Sequence, residues 1–165
     1  QSLHGNALTT GNVSFHRKHY MQIGGFDLRL KRSEDADLGL RLEDHGLQII
    51  LSKEAKSQHG SDHHCLQAWL EKATQYGRCD SFIAAKYPHI PHASPWRHWL
   101  SIHPLTRLSL RAGWLWPRSI PLFSLYIAQF ATWCDKIGSE KLAYPLLSLA
   151  YNLRYYTAVR YCEPE

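Results

Sequence analysis

The chain has 165 residues, about the length of one domain, so a core can be buried without disulfides or metals to hold it together. Hydrophobic residues at 44% and aromatics at 12%, with six Trp and nine Tyr, exclude a disordered chain. The formal charge of +5 is a modest excess that suits an anionic membrane surface or a phosphorylated substrate, and equally a solvated face.

In chain order, residues 7–15 carry Thr, Val and Phe around a Gly-Asn interruption and predict a short strand, and residues 17–23 a helical turn or two before Gly24-Gly25. Ser33 followed by Glu34, Asp35 and Asp37 predicts a helix start. It pairs a capping hydroxyl with carboxylates in the first turn, where free N–H groups and the macrodipole favour negative charge. Leu38 and Leu42 share one face of that helix and Gly46 stops it. Residues 47–51 read as a strand and His59-Gly60 as a loop. A second amphipathic helix begins after Asp62 and runs toward Cys79, with Leu66, Trp69, Leu70, Ala73 and Tyr76 on or near one face.

Composition changes at Tyr87-Pro88. Residues 1–87 form a mixed α/β region, 88–95 a linker rich in Pro, His and Trp, and 96–165 a helical, aromatic-rich extension. Within the extension, residues 96–116 mix aromatics with Arg97, Arg107 and Arg111. Residues 119–134 are an uncharged run shorter than the roughly 20 residues that span a bilayer, and 142–153 is shorter still and holds Pro145. These helices pack on one another as a soluble extension or lie at a bilayer interface with Trp and Arg as anchors. Cys65, Cys79, Cys134 and Cys162 lie far apart with no CxxC pair, which points to isolated buried thiols in a reducing compartment. No charged start with a short apolar core marks a signal peptide, and the start at Gln1 leads to the expectation of a fragment.

A carboxylate in the first turn of a helix has a direction fixed by the backbone, which suits a base that takes a proton from an attacking hydroxyl. Glu34 and Asp35 hold that place, although acidic residues at a helix start often serve the helix alone. The neighbouring motifs add specificity. Gly11-Asn12-Val13-Ser14-Phe15, Gly24-Gly25-Phe26-Asp27, Glu34-Asp35-Ala36-Asp37-Leu38, Arg41 and Gly46, in this order and at these spacings, resemble the second half of the family 2 glycosyltransferase domain, over about residues 8–87.

That resemblance implies an α/β fold: a partial GT-A, Rossmann-like domain without its nucleotide-binding half, followed by the helical extension. It implies Asp35 as the general base and Glu34 as the group that orients the acceptor. Gly24, Gly25, Asp27 and Arg41 become substrate-side candidates, with the two glycines also readable as a plain turn and Arg41 as the structural partner of an acid. His59 falls where some relatives place a metal-binding histidine, so the resemblance implies a Mn or Mg ion whose Asp-x-Asp ligand lies outside this chain. The alternative of a zinc site at His59, His63, His64 and Cys65 is disfavoured, since Gly60 breaks the helical register.

The implied reaction is inverting transfer from a nucleotide-diphosphate-sugar to a saccharide or lipid-linked acceptor, in polysaccharide or glycolipid assembly. The implied setting is cytoplasmic and peripheral to a membrane, with contact through residues 96–153, and the fragment alone is expected to be inactive. A non-enzymatic alternative is a basic, aromatic module that binds a membrane surface or nucleic acid through Arg97, Arg107, Arg111, Arg118, Arg154 and Arg160. Nucleic acid is not expected, because the tail's aromatics sit among Leu, Ile and Pro, where burial explains them better.

Overall fold

The computed structural model describes residues 2–58, 60 and 65–162. Helix dominates: α1 (Arg17–Gln22), α2 (Glu34–Asp44), α3 (Leu66–Lys86), α4 (Pro104–Gly113), α5 (Ile120–Lys136) and α6 (Glu140–Tyr161). Among the described residues, strand is limited to β1 (Ser2–Leu3) and β2 (Ile49–Ile50), paired antiparallel with Ser2 opposite Ile50 and Leu3 opposite Ile49.

The α/β expectation is therefore corrected. The described residues are 68% helical with one two-stranded antiparallel sheet, mostly α and not Rossmann-like. Of the two predicted strands, 47–51 is present only as the two-residue β2 and 7–15 forms none. Residues 7–15 form 3-10 turns at Gly5–Ala7 and Thr10–Asn12 and leave Val13 and Phe15 at the surface, and 47–51 contributes only Ile49–Ile50. A β-favouring composition becomes a strand only where neighbouring strands and a buried face receive it: residues 7–15 pair with no strand among the described residues, and Ile49–Ile50 find only the two-residue β1, with Ile50 left exposed. The helical expectations fare differently. α1 and α2 lie where predicted, and α2 stops before Gly46 at φ 79°. α3 starts at Leu66 and continues past Cys79 to Lys86, because the first residue that cannot continue it is Pro88.

One detail of the α2 start is corrected as well. Ser33 does not cap the helix with its hydroxyl: it sits in the left-handed region at φ 59°, and its Oγ donates instead to Asp80 Oδ1 at 2.6 Å. The backbone still turns in correctly, with Asp37 N–H on Ser33 O at 3.0 Å.

α2 is held from two sides. Leu38 and Leu42 pack with Leu8, Tyr20, Ile23 and Phe26, whereas Leu40 packs with Ile83, Tyr87 and Ala93. Between these, Gly5 and Gly39 bring backbone against backbone; a Cβ on Gly39 would lie 2.0 Å from Gly5 O. A polar anchor fixes the rotation of α2 about its axis. Asp37 is fully buried, and its carboxylate receives Arg41 Nε at 2.9 Å, Lys86 Nζ at 2.8 Å and Tyr87 Oη at 3.0 Å. Arg41 Nη2 lies 2.7 Å from the same carboxylate as a charge contact, while Nη1 donates to Ile23 O at 2.8 Å. Lys86 also reaches Asp27 Oδ2 at 3.1 Å, and Arg29 pairs with Asp27 at 2.7 Å.

The C-terminal helices pack on α3. The short turn at Gly138 (φ 79°) folds α5 back on α6. Leu70 of α3 meets Ala128 and Ala150, and Gly77 lets α3 touch α6, since a Cβ there would lie 2.4 Å from Tyr155 O. Leu110, Ile120, Leu153 and Tyr156 form a further cluster capped by Trp99 and Trp114. Among the described residues no helix is long and apolar enough to cross a membrane.

Replacing a buried charge partner leaves the others uncompensated. Asp37→Ala is expected to cost about 3–5 kcal/mol in urea unfolding, and Gly39→Ala about 1–3 kcal/mol through overpacking against Gly5. A change of under about 0.5 kcal/mol for either, within the range of ordinary surface substitutions, would contradict the packing described.

Candidate functional site

A cleft of about 250 Å³ opens where the first turn of α2, the middle of α3, the N-terminal segment and the stretch before α4 meet. Asp35, Ser33, Tyr76, Asp80, Thr9 and Arg97 are among its lining residues, over a floor that includes Leu40 and Ile83. A pocket of about 170 Å³ between α3, α5 and α6 is lined by residues that include Thr74, Arg78, Arg154 and Cys162 and, among the described residues, by no carboxylate.

Asp35 is half-buried on the cleft wall. Its Oδ1 accepts the Ala36 N–H at 2.9 Å, and its Oδ2 has one long contact, the Thr10 N–H at 3.4 Å. The Oδ2 lone pairs are therefore the less committed ones. Asp80 differs, because both of its oxygens are held by hydroxyls at 2.6 Å, Ser33 Oγ on Oδ1 and Tyr155 Oη on Oδ2. Burial, reinforced by the Asp80 charge, pushes the Tyr155 phenol far above its ordinary value, so it remains a donor. Tyr76 is raised mainly by burial, with Arg32 opposing and the Asp35 and Glu34 charges adding to the rise. Arg97 supplies a cation at the rim, anchored by its Nη1 on Ser94 O at 3.0 Å. Ser33 holds its left-handed backbone at a cost of about 1–3 kcal/mol, and the short bond to Asp80 is the contact that this conformation makes.

The other residues singled out in the sequence are distributed as follows. Glu34 is half-buried beside Asp35 at the same helix start. Gly24 and Gly25, at φ 80° and 72°, end α1 through Gly24 N–H on Met21 O and Gly25 N–H on Tyr20 O, and Gly25 is packed under the Tyr20 ring. Asp27 and Arg41 belong to the ion network around Asp37 and do not line the cleft. The Arg29 guanidinium beside Asp27 holds its carboxyl far below the usual range, against the opposing effect of burial. His59, His63 and His64 lie outside the described residues.

The cleft's described donors do not fit a divalent ion. Asp35-Ala36-Asp37 has the Asp-x-Asp spacing, but residues two apart on a helix point about 200° apart, and Asp37 is committed to Arg41, Lys86 and Tyr87. Asp80 is engaged at both oxygens by short bonds from Ser33 and Tyr155.

A second cluster of potential ligands lies at the other end of α2, where Glu43 accepts His4 Nδ1 at 3.2 Å, His92 Nε2 at 2.9 Å and Gly5 N–H at 2.7 Å. The two imidazoles stack with centroids 4.1 Å apart and planes 24° from parallel, and the ligand atoms of His4, Glu43 and His92 all lie within 4.8 Å of one another, close enough to hold an ion. As it stands, the arrangement makes Glu43 a carboxylate clamp that ties the N-terminal segment to the 91–93 turn. Burial raises the Glu43 pKa, but Gly5, His4 and His92 outweigh it, so the net shift is downward.

Sequence reasoning passed over Asp80, and it gave Arg97 to a basic binding module and not to this cleft. Asp80 carried a signal: with Tyr76 and Ile83 it falls at i, i+4 and i+7 on a helix otherwise built to bury that stripe. No protein-family profile, curated protein or solved structure matches the chain.

The folded-state pKa values of Glu43 and Asp27 both lie below their unfolded values, so the stability they confer is complete above about pH 5 and is lost as pH falls through the folded values. The melting temperature is expected to fall as pH is lowered from about 5 to about 3. Glu43→Gln removes about 1 kcal/mol at pH 7 and flattens part of that slope. An unchanged melting curve across this window would rule out the clamp.

Proposed function

We propose that this chain carries the acceptor side of an inverting glycosyl transfer, as its resemblance to family 2 glycosyltransferases implies, on a mostly helical scaffold. The observation that carries the reading is Asp35: a half-buried carboxylate at the first turn of α2 on the cleft wall, with Oδ2 held, among the described residues, only by a long amide contact. The cleft volume of about 250 Å³ lies below the roughly 300–1,000 Å³ of drug-sized sites and suits a single sugar ring.

In the proposed step the acceptor hydroxyl gives its proton to Asp35 Oδ2 while its oxygen bonds to the anomeric carbon of the donor sugar. The bond from that carbon to the donor phosphate breaks, and the electron pair leaves with the nucleoside diphosphate. One displacement inverts the anomeric centre. Arg97 at the rim offers positive charge to the negative group that departs. Asp80, engaged at both oxygens by Ser33 and Tyr155, is a positioning residue that shapes the wall opposite the base. Glu34 is assigned to orienting the acceptor. No step is routed through a metal, because the described donors at the cleft do not fit one. The donor class is a nucleotide-diphosphate-sugar, the acceptor is a saccharide or a lipid-linked saccharide, and the setting is the cytoplasmic side, peripheral to a membrane.

Asp35→Asn in the full-length protein is expected to lower kcat for sugar transfer by about 10²–10⁴-fold while unfolding stays within about 1 kcal/mol of wild type. Asp80→Asn is expected to show the converse pattern, losing stability while keeping most of the pH dependence of transfer. Full activity in the Asp35 variant, or no transfer from any nucleotide sugar tried, would defeat the proposal.

A further inference from the structure

Helix α5 is built inside out. Its inward face, against α3 and α6, carries the small side chains Ser124, Ala128, Ala131 and Cys134, each at most 1% exposed. Its opposite face carries Leu122, Tyr126, Phe130, Trp133 and Ile137, all 50–60% exposed. Their spacing of four, four, three and four residues sets them in one line along the helix. A water-facing helix has polar residues on this side, and a helix that is apolar all round is normally covered on both faces. The turn that leads into α5 adds exposed Leu115 and Trp116, and α4 adds Leu105 and Leu108. Scattered single apolar residues need no explanation, but an ordered line of large ones does.

The charge around this line shows what covers it. From Ser81 through Cys134 the sequence contains no Asp or Glu, while Arg107, Arg111 and Arg118 fall on α4 and the turn before α5. Arg111 and Arg118 are exposed. Large apolar side chains along α5, with exposed arginines on α4 and the preceding turn and the first acid, Asp135, only in the last turn of α5 beside Lys136, are complementary to an apolar layer edged with negative charge. We infer that the outward face of α4 and α5 docks flat on an anionic lipid bilayer, with the line of Leu122, Tyr126, Phe130 and Trp133 in the acyl boundary and the arginines at headgroup phosphates. The helix lies in the plane of the interface, since none of the described helices is long and apolar enough to cross. This gives the peripheral placement proposed above a surface and a lipid class, and it rests on the packing of α5 and not on the chemistry of the cleft.

The test is co-sedimentation of the 165-residue chain with phosphatidylcholine vesicles, with and without phosphatidylglycerol. Binding is expected only with phosphatidylglycerol and is expected to weaken as salt rises. Phe130→Ser with Trp133→Ser should reduce it roughly tenfold, and Arg111→Ser or Arg118→Ser roughly fivefold each, with circular dichroism unchanged because all four side chains are exposed. Quenching of tryptophan emission by brominated lipids should fall in Trp133→Phe. Equal binding to both vesicle types would overturn the anionic assignment. Absence of vesicle binding would overturn the inference altogether. A dimer dissolved by Phe130→Ser, without lipid binding, would give the face to a second copy of the chain. Vesicle binding that survives in Asp35→Asn keeps this inference separate from the transfer reaction.

Discussion

The structure turns on the buried carboxylate of Asp37. An ionised group with no access to water costs several kcal/mol unless it is fully paired, and here the partners come from three places at once: Arg41 within α2, Lys86 and Tyr87 at the end of α3, and, through the shared Lys86, Asp27 in the turn after α1. All of these elements must be in register for the carboxylate to be satisfied. Because side chains two apart on a helix point about 200° apart, the rotation that buries Asp37 also turns Asp35 outward to the cleft. The residue proposed to carry the chemistry is thus aimed by a neighbour that takes no part in it.

α3 joins this anchor to the helices that follow. One of its faces presents Tyr76, Asp80 and Ile83 to the cleft. Gly77 and Ser81 face α6, where Ser81 Oγ bonds Gly77 O and Val159 O and the Gly77 backbone lies against Tyr155. Tyr155 then crosses back to Asp80. The C-terminal helices are therefore part of the cleft's support, since a residue far along the chain sets the position of a carboxylate in the cleft wall.

Small side chains inside α5 and large ones outside follow from the same packing. Gly77, Ala128, Ala131 and Ala150 allow α3, α5 and α6 to approach closely, which leaves no internal space for Phe130 or Trp133. Close helix packing and a broad outward aromatic surface are two results of one arrangement, in which the hydrophobic content of the tail is divided between a tight interior and an exposed face.

What the sequence determined by itself was local. The carboxylate-rich start of α2, its glycine stop, the lengths of α1 and α2 and the helical character of the tail follow from capping, propensity and the 3.6-residue period, which act within a few residues. What only the tertiary structure decided was every choice that needed a distant partner. Residues 7–15 had strand-like composition but joined no sheet and 47–51 found only the two residues of β1, so the α/β expectation gave way to a mostly helical fold. Ser33 had a capping side chain but found Asp80, 47 positions away, and Arg41 found a buried acid. The cleft could not be read in advance because Asp35, Asp80 and Arg97 come from three segments, and their meeting depends on free energies of packing and desolvation that no short stretch of chain contains.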